Sequence, residues 1–186
     1  METDKILNEI IKFTDQAHGA QLRKYSGERY IVHPVRVMEI CKYITHDIAI
    51  LSAALLHDVL EDTPVTKDAI YQFLLNHMDE QQAAQTLGMV VDLTDVYIKD
   101  KFPQLNRKTR KSKEVERLSK IQQNSQTIKY ADIIDNSLDI SENDVDFARV
   151  YLREMLQLLL KMDKGHTELL EKALATVQNC LKKFKA

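Results

Sequence analysis

Apolar residues recur at spacings of three and four along most of the chain, which is the pattern of amphipathic α-helices. In residues 3–18 the repeat consists of Ile6, Ile10, Phe13 and Ala17. The same spacing predicts further helices over residues 35–44, 66–76, 79–93, 114–123, 127–138, 144–162 and 167–184. No segment has the strict alternation that predicts a strand. We therefore expect an all-α fold.

A further helix is predicted over residues 47–62. Its turns are apolar up to His57 and Asp58, which are followed one turn later by Glu61 and Asp62. On one continuous helix, residues four apart share a face, so each member of the first pair lies above a member of the second. Buried carboxylates without partners are costly, and a divalent metal would satisfy a neighbouring His and Asp together. A solvent-facing helix end with ordinary charges is the alternative.

Two other polar residues have unusual positions in the pattern. Pro34 disfavours helical backbone at His33, so His33 is expected where an extended stretch meets the start of the next helix. A lone His before Pro is more often structural than a metal ligand. Asp132 lies beside the apolar stripe of the helix over 127–138, for which Ser125 is the predicted cap, rather than opposite the stripe.

Composition and charge restrict the class of protein. The chain has 186 residues, of which only 4 are Gly and 3 are Pro, and this favours helices joined by short loops in a single domain, 1–186. The formal net charge of −2 argues against a nucleic-acid partner. Two isolated cysteines, Cys41 and Cys180, suit a reducing compartment. With no signal-peptide character and no membrane-spanning run, we expect a cytoplasmic protein. The oligomeric state stays open.

One segment departs from this balance. Residues 99–113 hold seven basic residues against one acidic residue. Such a run is often only a solvated, mobile face. The alternative is an anion-binding loop or helix start, in which Arg107, Arg110 and Lys111 at helical spacing donate hydrogen bonds to phosphate.

The ordered residues His33, His57-Asp58 and Asp132 resemble the H…HD…D signature of the HD superfamily of metal-dependent phosphohydrolases. The run from Ala53 to Thr63 is similar to the hydrolase domain of stringent-response enzymes, which cut the alarmones ppGpp and pppGpp. The flanking segments that share this likeness, in the same order, are Arg23-Lys24, residues 30–34 and residues 128–132. The likeness extends from about residue 13 to residue 162. Since no synthetase domain fits, the chain resembles the stand-alone small alarmone hydrolases.

The resemblance implies a compact multi-helix HD-domain fold and a set of site residues. The implied metal ligands are His33, His57, Asp58 and Asp132. The implied metal is Mn²⁺, although another divalent ion is possible. Glu61 and Asp62 would orient or deprotonate the attacking water. The expected contacts to a small-molecule nucleotide are Arg23, Lys24 and Asn136, together with Arg107, Arg110 and Lys111 of the basic segment. The implied reaction converts ppGpp or pppGpp to GDP or GTP and pyrophosphate.

Three positions depart from the pattern of that family. Arg29 stands where a proline is expected, Ile133 where a basic residue is frequent, and Asp135 where an aromatic residue or His is common. Rival hypotheses are an HD phosphohydrolase for an adenosine alarmone, a nucleoside monophosphate or NADPH, and a catalytically silent alarmone-binding module. The intact pair Glu61-Asp62 argues against the silent module. A purely structural helical protein would leave the placement of His33 and Asp132 unexplained.

Overall fold

Helices make up the architecture of the chain, for which a computed structural model describes residues 2–24 and 26–184. In chain order the helices are α1 (Glu2–His18), α2 (Val32–Lys42), α3 (Ile48–Leu56), α4 (Val59–Asp62), α5 (Lys67–Leu75), α6 (Glu80–Leu93), α7 (Arg107–Leu118), α8 (Gln123–Asn143), α9 (Val145–Leu159) and α10 (Thr167–Lys182). In the described residues the β pairing is a single isolated bridge between Leu22 and Arg29. The predicted all-α class is confirmed.

Side-chain caps fix where several helices begin. Asp47 accepts a hydrogen bond from the backbone N–H of Ala49, and Thr66 accepts one from the backbone N–H of Ala69. The same type of cap starts three other helices, at Asp79, Asn106 and Asp144. Each cap satisfies a backbone donor that has no partner inside its helix.

Two helices, α3 and α8, lie at the centre of the core. Every residue of α3 from Ala49 to Leu56 is buried, and the helix packs against α1, α2, α6 and α8. Helix α8 also packs against α2, α9 and α10. Complete burial of one Leu side chain stabilises the fold by about 1.5–3 kcal/mol. The end of α3 and the middle of α8 are therefore packed into the core; His57 and Asp58 directly follow the first, and Asp132 lies in the second.

The prediction of one continuous helix over residues 47–62 is wrong. Helix α3 ends at Leu56 and α4 begins at Val59, and His57 and Asp58 form the turn between them. The backbone of Asp58 has φ −97° and ψ −7°, outside the usual helical values, and its carbonyl accepts from the N–H of Glu61, three residues on. The side chains of this turn therefore do not form the two regular columns that a continuous helix would give.

The predicted position of His33 before a helix is also wrong. The turn at Arg29–Val32 leads directly into α2, and His33 lies in the first helical turn, with its N–H bonded to the carbonyl of Tyr30. Pro34 is compatible with this position because the first backbone N–H groups of a helix have no intrahelical partner.

Helices α7 and α8 begin earlier than predicted. Ser125 does not cap a helix: α8 starts at Gln123, and the buried Ser125 hydroxyl donates to Asp92 at 2.8 Å. The second half of the basic segment is the first part of α7, whose start is capped by Asn106. None of the helices in the described part of the chain is both long and apolar enough to cross a membrane.

Candidate metal centre and adjoining cavity

Four side chains from three parts of the fold meet at one point. His33 comes from the first turn of α2, His57 and Asp58 come from the turn after α3, and Asp132 comes from the middle of α8. The Nε2 atom of His57 lies 3.1 Å from Oδ2 of Asp58. The Nε2 atom of His33 lies 3.2 Å from Oδ1 of Asp132. The structure thus brings together the four residues that the sequence predicted as metal ligands.

The two imidazole rings are oriented by their other nitrogen atoms. Nδ1 of His57 is 2.8 Å from the carbonyl oxygen of Ala54, which can only accept, so this nitrogen carries the proton. Nδ1 of His33 is 2.7 Å from Oδ2 of Asp135. Both Nε2 atoms are buried and have no hydrogen-bond partner among the described residues. Two buried Nε2 atoms that face carboxylates fit a bound cation, since metal-ligating His residues usually donate the other N–H in this way.

The electrostatics of the cluster also favour a cation. Burial lowers the pKa of His57, but Asp58 and Asp132 raise it more, to about 9. Burial raises the pKa of Asp58, but the adjacent imidazoles hold it well below its ordinary value. The donor atoms of His33, His57 and Asp58 all lie within 4.8 Å of one another, and they can hold a metal ion. A mixed set of imidazole and carboxylate ligands suits a divalent metal.

Three more side chains contact the carboxylates of this cluster. The hydroxyl of Tyr30 donates to Asp58 at 2.7 Å, and the amide of Asn136 donates to Asp132 at 2.5 Å. The ammonium of Lys129 lies 2.7 Å from Oδ2 of Asp132, and its side chain is only 19% exposed. The sequence interpretation missed the roles of Tyr30 and Lys129. For Lys129 a signal existed, because it precedes Asp132 by three residues on the same helix.

Glu61 and Asp62 lie on α4, and both are exposed. Glu61 accepts a hydrogen bond from the backbone N–H of Asp95 at 3.0 Å, and Asp62 accepts one from Gln21 at 3.2 Å. Partial loss of hydration and the Asp95 carboxylate raise the pKa of Glu61, and the hydrogen bond from the N–H of Asp95 lowers it by less. The net result is a pKa of about 7. Their catalytic role stays a prediction.

Arg23 is buried among protein groups. Its side chain is 7% exposed, and Nη2 donates to Asn136 at 2.9 Å and to Asp139 at 2.8 Å. Arg23 and Asn136, both predicted to bind nucleotide, thus contact each other. Lys24 is exposed, with its ammonium 5.5 Å from the centre of the Phe147 ring.

The three basic residues predicted to bind phosphate point to different partners. Arg107 forms two hydrogen bonds to the carboxylate of Glu154. Arg110 donates to the backbone carbonyl of Leu105. Lys111 lies 3.9 Å from the Asp95 carboxylate. Of these three residues, Lys111 alone lines the cavity that reaches the metal cluster.

This cavity, which we call the inner cavity, lies between α7, α8 and α9 and has a volume of about 130 Å³. Asp132 and Asn136 form the wall on the side of the metal cluster, and Lys129, Lys111 and Tyr151 are also in contact with the space. A small group in the inner cavity would therefore meet two ammonium groups and the cluster, and also the carboxylates of Asp95 and Glu114.

The chain has relatives among proteins of known sequence. The HD domain family matches residues 11–158. The chain is 33% identical over 117 residues to a guanosine-3′,5′-bis(diphosphate) 3′-pyrophosphohydrolase of Borreliella burgdorferi, over 63% of this chain and 15% of the relative. It is 35% identical over 105 residues to the protein of the same name from Haemophilus influenzae, over 56% of this chain and 13% of the relative. The chain therefore spans less than a sixth of the length of these relatives.

Solved structures show the same fold. A metazoan ortholog of SpoT, which hydrolyzes ppGpp, superposes with a TM-score of 0.77 at 21% identity, over 97% of this chain and 96% of that chain. A protein of Listeria monocytogenes EGD-e superposes with a TM-score of 0.59 at 20% identity, over 86% of this chain and 99% of that chain. At these identities the likeness concerns the fold.

Proposed function

The chain belongs to the HD domain family, and we propose that it is a metal-dependent phosphohydrolase that acts on guanosine alarmones. The reaction removes the 3′-pyrophosphate of ppGpp or pppGpp and releases GDP or GTP. The observation that carries this proposal is the pair of buried Nε2 atoms of His33 and His57, which face Asp58 and Asp132 and have no hydrogen-bond partner among the residues that the structure describes. The names of the relatives from Borreliella burgdorferi and Haemophilus influenzae support the choice of substrate.

The proposed ligands of the metal are His33, His57, Asp58 and Asp132, and the proposed metal is Mn²⁺. A divalent ion at this place would polarise a phosphoryl oxygen and lower the pKa of water. Asp135 and the carbonyl of Ala54 hold the two imidazoles in the tautomer that leaves Nε2 available.

Glu61 and Asp62 are the proposed groups that orient the attacking water and accept its proton. Their carboxylates are exposed on α4, one turn after the metal-ligating turn. A base works best when its pKa is near the working pH, and the pKa of Glu61 is raised to about 7. A positioned general base contributes a rate factor of about 10²–10⁴.

Lys129 and Lys111 are the cations best placed to offset the charge of the 3′-pyrophosphate. Both line the inner cavity, which Arg107 does not reach. Arg23 has a different part in the proposal, because its guanidinium holds Asn136, which in turn donates to Asp132. Lys24 remains a proposed contact to the nucleotide from the exposed loop.

A turnover assay tests the proposal. The purified chain is incubated with Mn²⁺ and ppGpp, and released pyrophosphate and GDP are measured. Parallel reactions contain the adenosine alarmone ppApp, a nucleoside monophosphate and NADPH. The proposal requires that ppGpp be cleaved with the highest kcat/KM. Faster cleavage of another nucleotide would move the chain to a different substrate class within the family. Tight binding of ppGpp without turnover would identify a silent binding module.

A further inference from the structure

A second and larger cavity, which we call the outer cavity, adjoins the inner cavity. Its volume is about 870 Å³, and it shares the lining residues Lys111, Val115 and Met155 with the inner cavity. The two form one trough between α7 and α9. Ligand pockets usually measure about 300–1,000 Å³, so the inner cavity is too small for a whole nucleotide and the outer cavity is large enough for most of one.

The charge of the trough changes sign along its length. The inner cavity is lined by three carboxylates and two lysines, namely Asp95, Glu114, Asp132, Lys111 and Lys129. The outer cavity is lined by four cations and one carboxylate, namely Arg107, Lys108, Lys111, Lys161 and Glu154. A metal ion at the inner end would offset the carboxylates there. The excess positive charge at the outer end would be offset by an anion.

Two of the outer cations are available for such an anion. Arg107 is engaged by Glu154 through both of its terminal nitrogens. Lys108 and Lys161 are exposed and form no ion pair with another described residue. Beside them lie Met155 and Leu160, and Leu160 is 69% exposed. The outer cavity therefore offers ammonium groups next to an apolar surface, which suits an anion that also carries a ring system.

We propose that the outer cavity binds the 5′-polyphosphate of the substrate and that Lys108 and Lys161 contact it. This inference rests on the proposed function, which places the 3′-pyrophosphate beside Asp132 at the inner end. The 3′ and 5′ substituents leave opposite sides of a ribose, so the 5′ chain must extend away from the metal cluster. The trough supplies that path, and its positive end lies where the additional phosphates of ppGpp and pppGpp would be.

A binding measurement tests this without hydrolysis. GMP, GDP and GTP are titrated by calorimetry into the wild-type protein and into the double variant Lys108→Ala/Lys161→Ala. The control is Lys113→Ala/Lys164→Ala, which removes the same charge from lysines that line neither cavity. In the wild type, affinity should increase from GMP to GTP. The cavity variant, Lys108→Ala/Lys161→Ala, should bind GTP about tenfold more weakly, equivalent to roughly 1.4 kcal/mol. Its affinity should no longer increase with the number of phosphates. The control should retain that increase.

Hydrolysis of guanosine 3′-diphosphates that carry one, two or three 5′ phosphates gives a second readout. The cavity variant should raise KM most for the 5′-triphosphate and leave kcat unchanged, because the 5′ chain does not react. Equal wild-type affinity for GMP, GDP and GTP, or the same losses in both double variants, would overturn the inference. Absence of turnover with all three substrates would instead contradict the proposed function, while the calorimetric comparison would still decide whether the outer cavity binds 5′ phosphates.

Discussion

The Oδ2 atom of Asp135 lies 2.7 Å from Nδ1 of His33, and this contact holds the imidazole with its Nε2 atom toward Asp58 and Asp132. Asp135 was one of the three positions at which the sequence departs from the alarmone hydrolase pattern. In the structure, this unusual residue is the one that orients the candidate metal ligand His33. The imidazole of His57 is oriented by a backbone carbonyl instead. A side-chain substitution can therefore remove the orienting contact of His33 but not that of His57.

Asp135→Ala should therefore weaken metal binding and leave the fold intact. Groups that orient a metal-ligating His typically contribute a factor of about 10–100 in affinity. Mn²⁺ affinity is measured by competition with a chelator, and the helical content is checked by circular dichroism. Asp146→Ala, at an exposed site in the first turn of α9, is the control and should keep wild-type affinity. An unchanged affinity in Asp135→Ala would show that His33 is not a ligand or needs no support.

Removal of the candidate ligands themselves should abolish stoichiometric metal binding. His57→Ala and Asp132→Ala each take a donor from the cluster, in which Nε2 of His57 lies 3.1 Å from Asp58 and 3.8 Å from Asp132. Metal content is counted by mass spectrometry after dialysis against Mn²⁺. The exposed His46→Ala variant is the matched control. One metal per chain in all four proteins, including the wild type, would exclude the proposed site.

The sequence predicted which residues meet at the candidate metal site better than it predicted the surroundings of that site. His57-Asp58 and Asp132 could be found because a polar pair at the end of an apolar helix, or an Asp beside an apolar stripe, conflicts with the local pattern. The break between α3 and α4 has no such signal, since Leu56 to Val59 contain neither Gly nor Pro. The pairing of Arg23 with Asp139 joins residues 116 positions apart, and helical periodicity carries no information on contacts of that kind.

Glu61→Gln should retain the metal and lose turnover. The amide oxygen of Gln can still accept the hydrogen bond from the N–H of Asp95, so the loop after α6 keeps its anchor. The amide cannot accept a proton, and kcat should fall by about two orders of magnitude or more. Steady-state kinetics with ppGpp and metal analysis are performed on the same preparation. A normal kcat with normal metal content would remove Glu61 from the mechanism.

Lys129→Met should destabilise the metal-free protein. The substitution leaves Asp132 buried without its ammonium partner, and breaking a buried ion pair typically costs about 3–5 kcal/mol. Saturating Mn²⁺ should restore part of this stability, because the ion provides another positive charge at Asp132. Urea unfolding is followed with chelator and with Mn²⁺. Lys120→Met breaks an exposed pair with Glu116 and should change the unfolding free energy by about 1 kcal/mol or less. Equal effects of the two substitutions would contradict a structural role for the Lys129 contact.

The basic segment allows a test with adjacent residues on one helix. Lys111 lines both cavities, whereas Arg110 donates to the carbonyl of Leu105 and lines neither of them. Lys111→Ala should raise KM for ppGpp by about tenfold, equivalent to roughly 1.4 kcal/mol, and the effect should weaken as salt screens the charges. Arg110→Ala removes the same charge one residue away and should leave KM within about twofold, on the scale of a typical exposed charge. Metal content should match the wild type in both variants. An equal rise in KM would mean that the segment acts through its general positive charge, and an unchanged KM in both would leave Lys129 as the cation that meets the 3′-pyrophosphate.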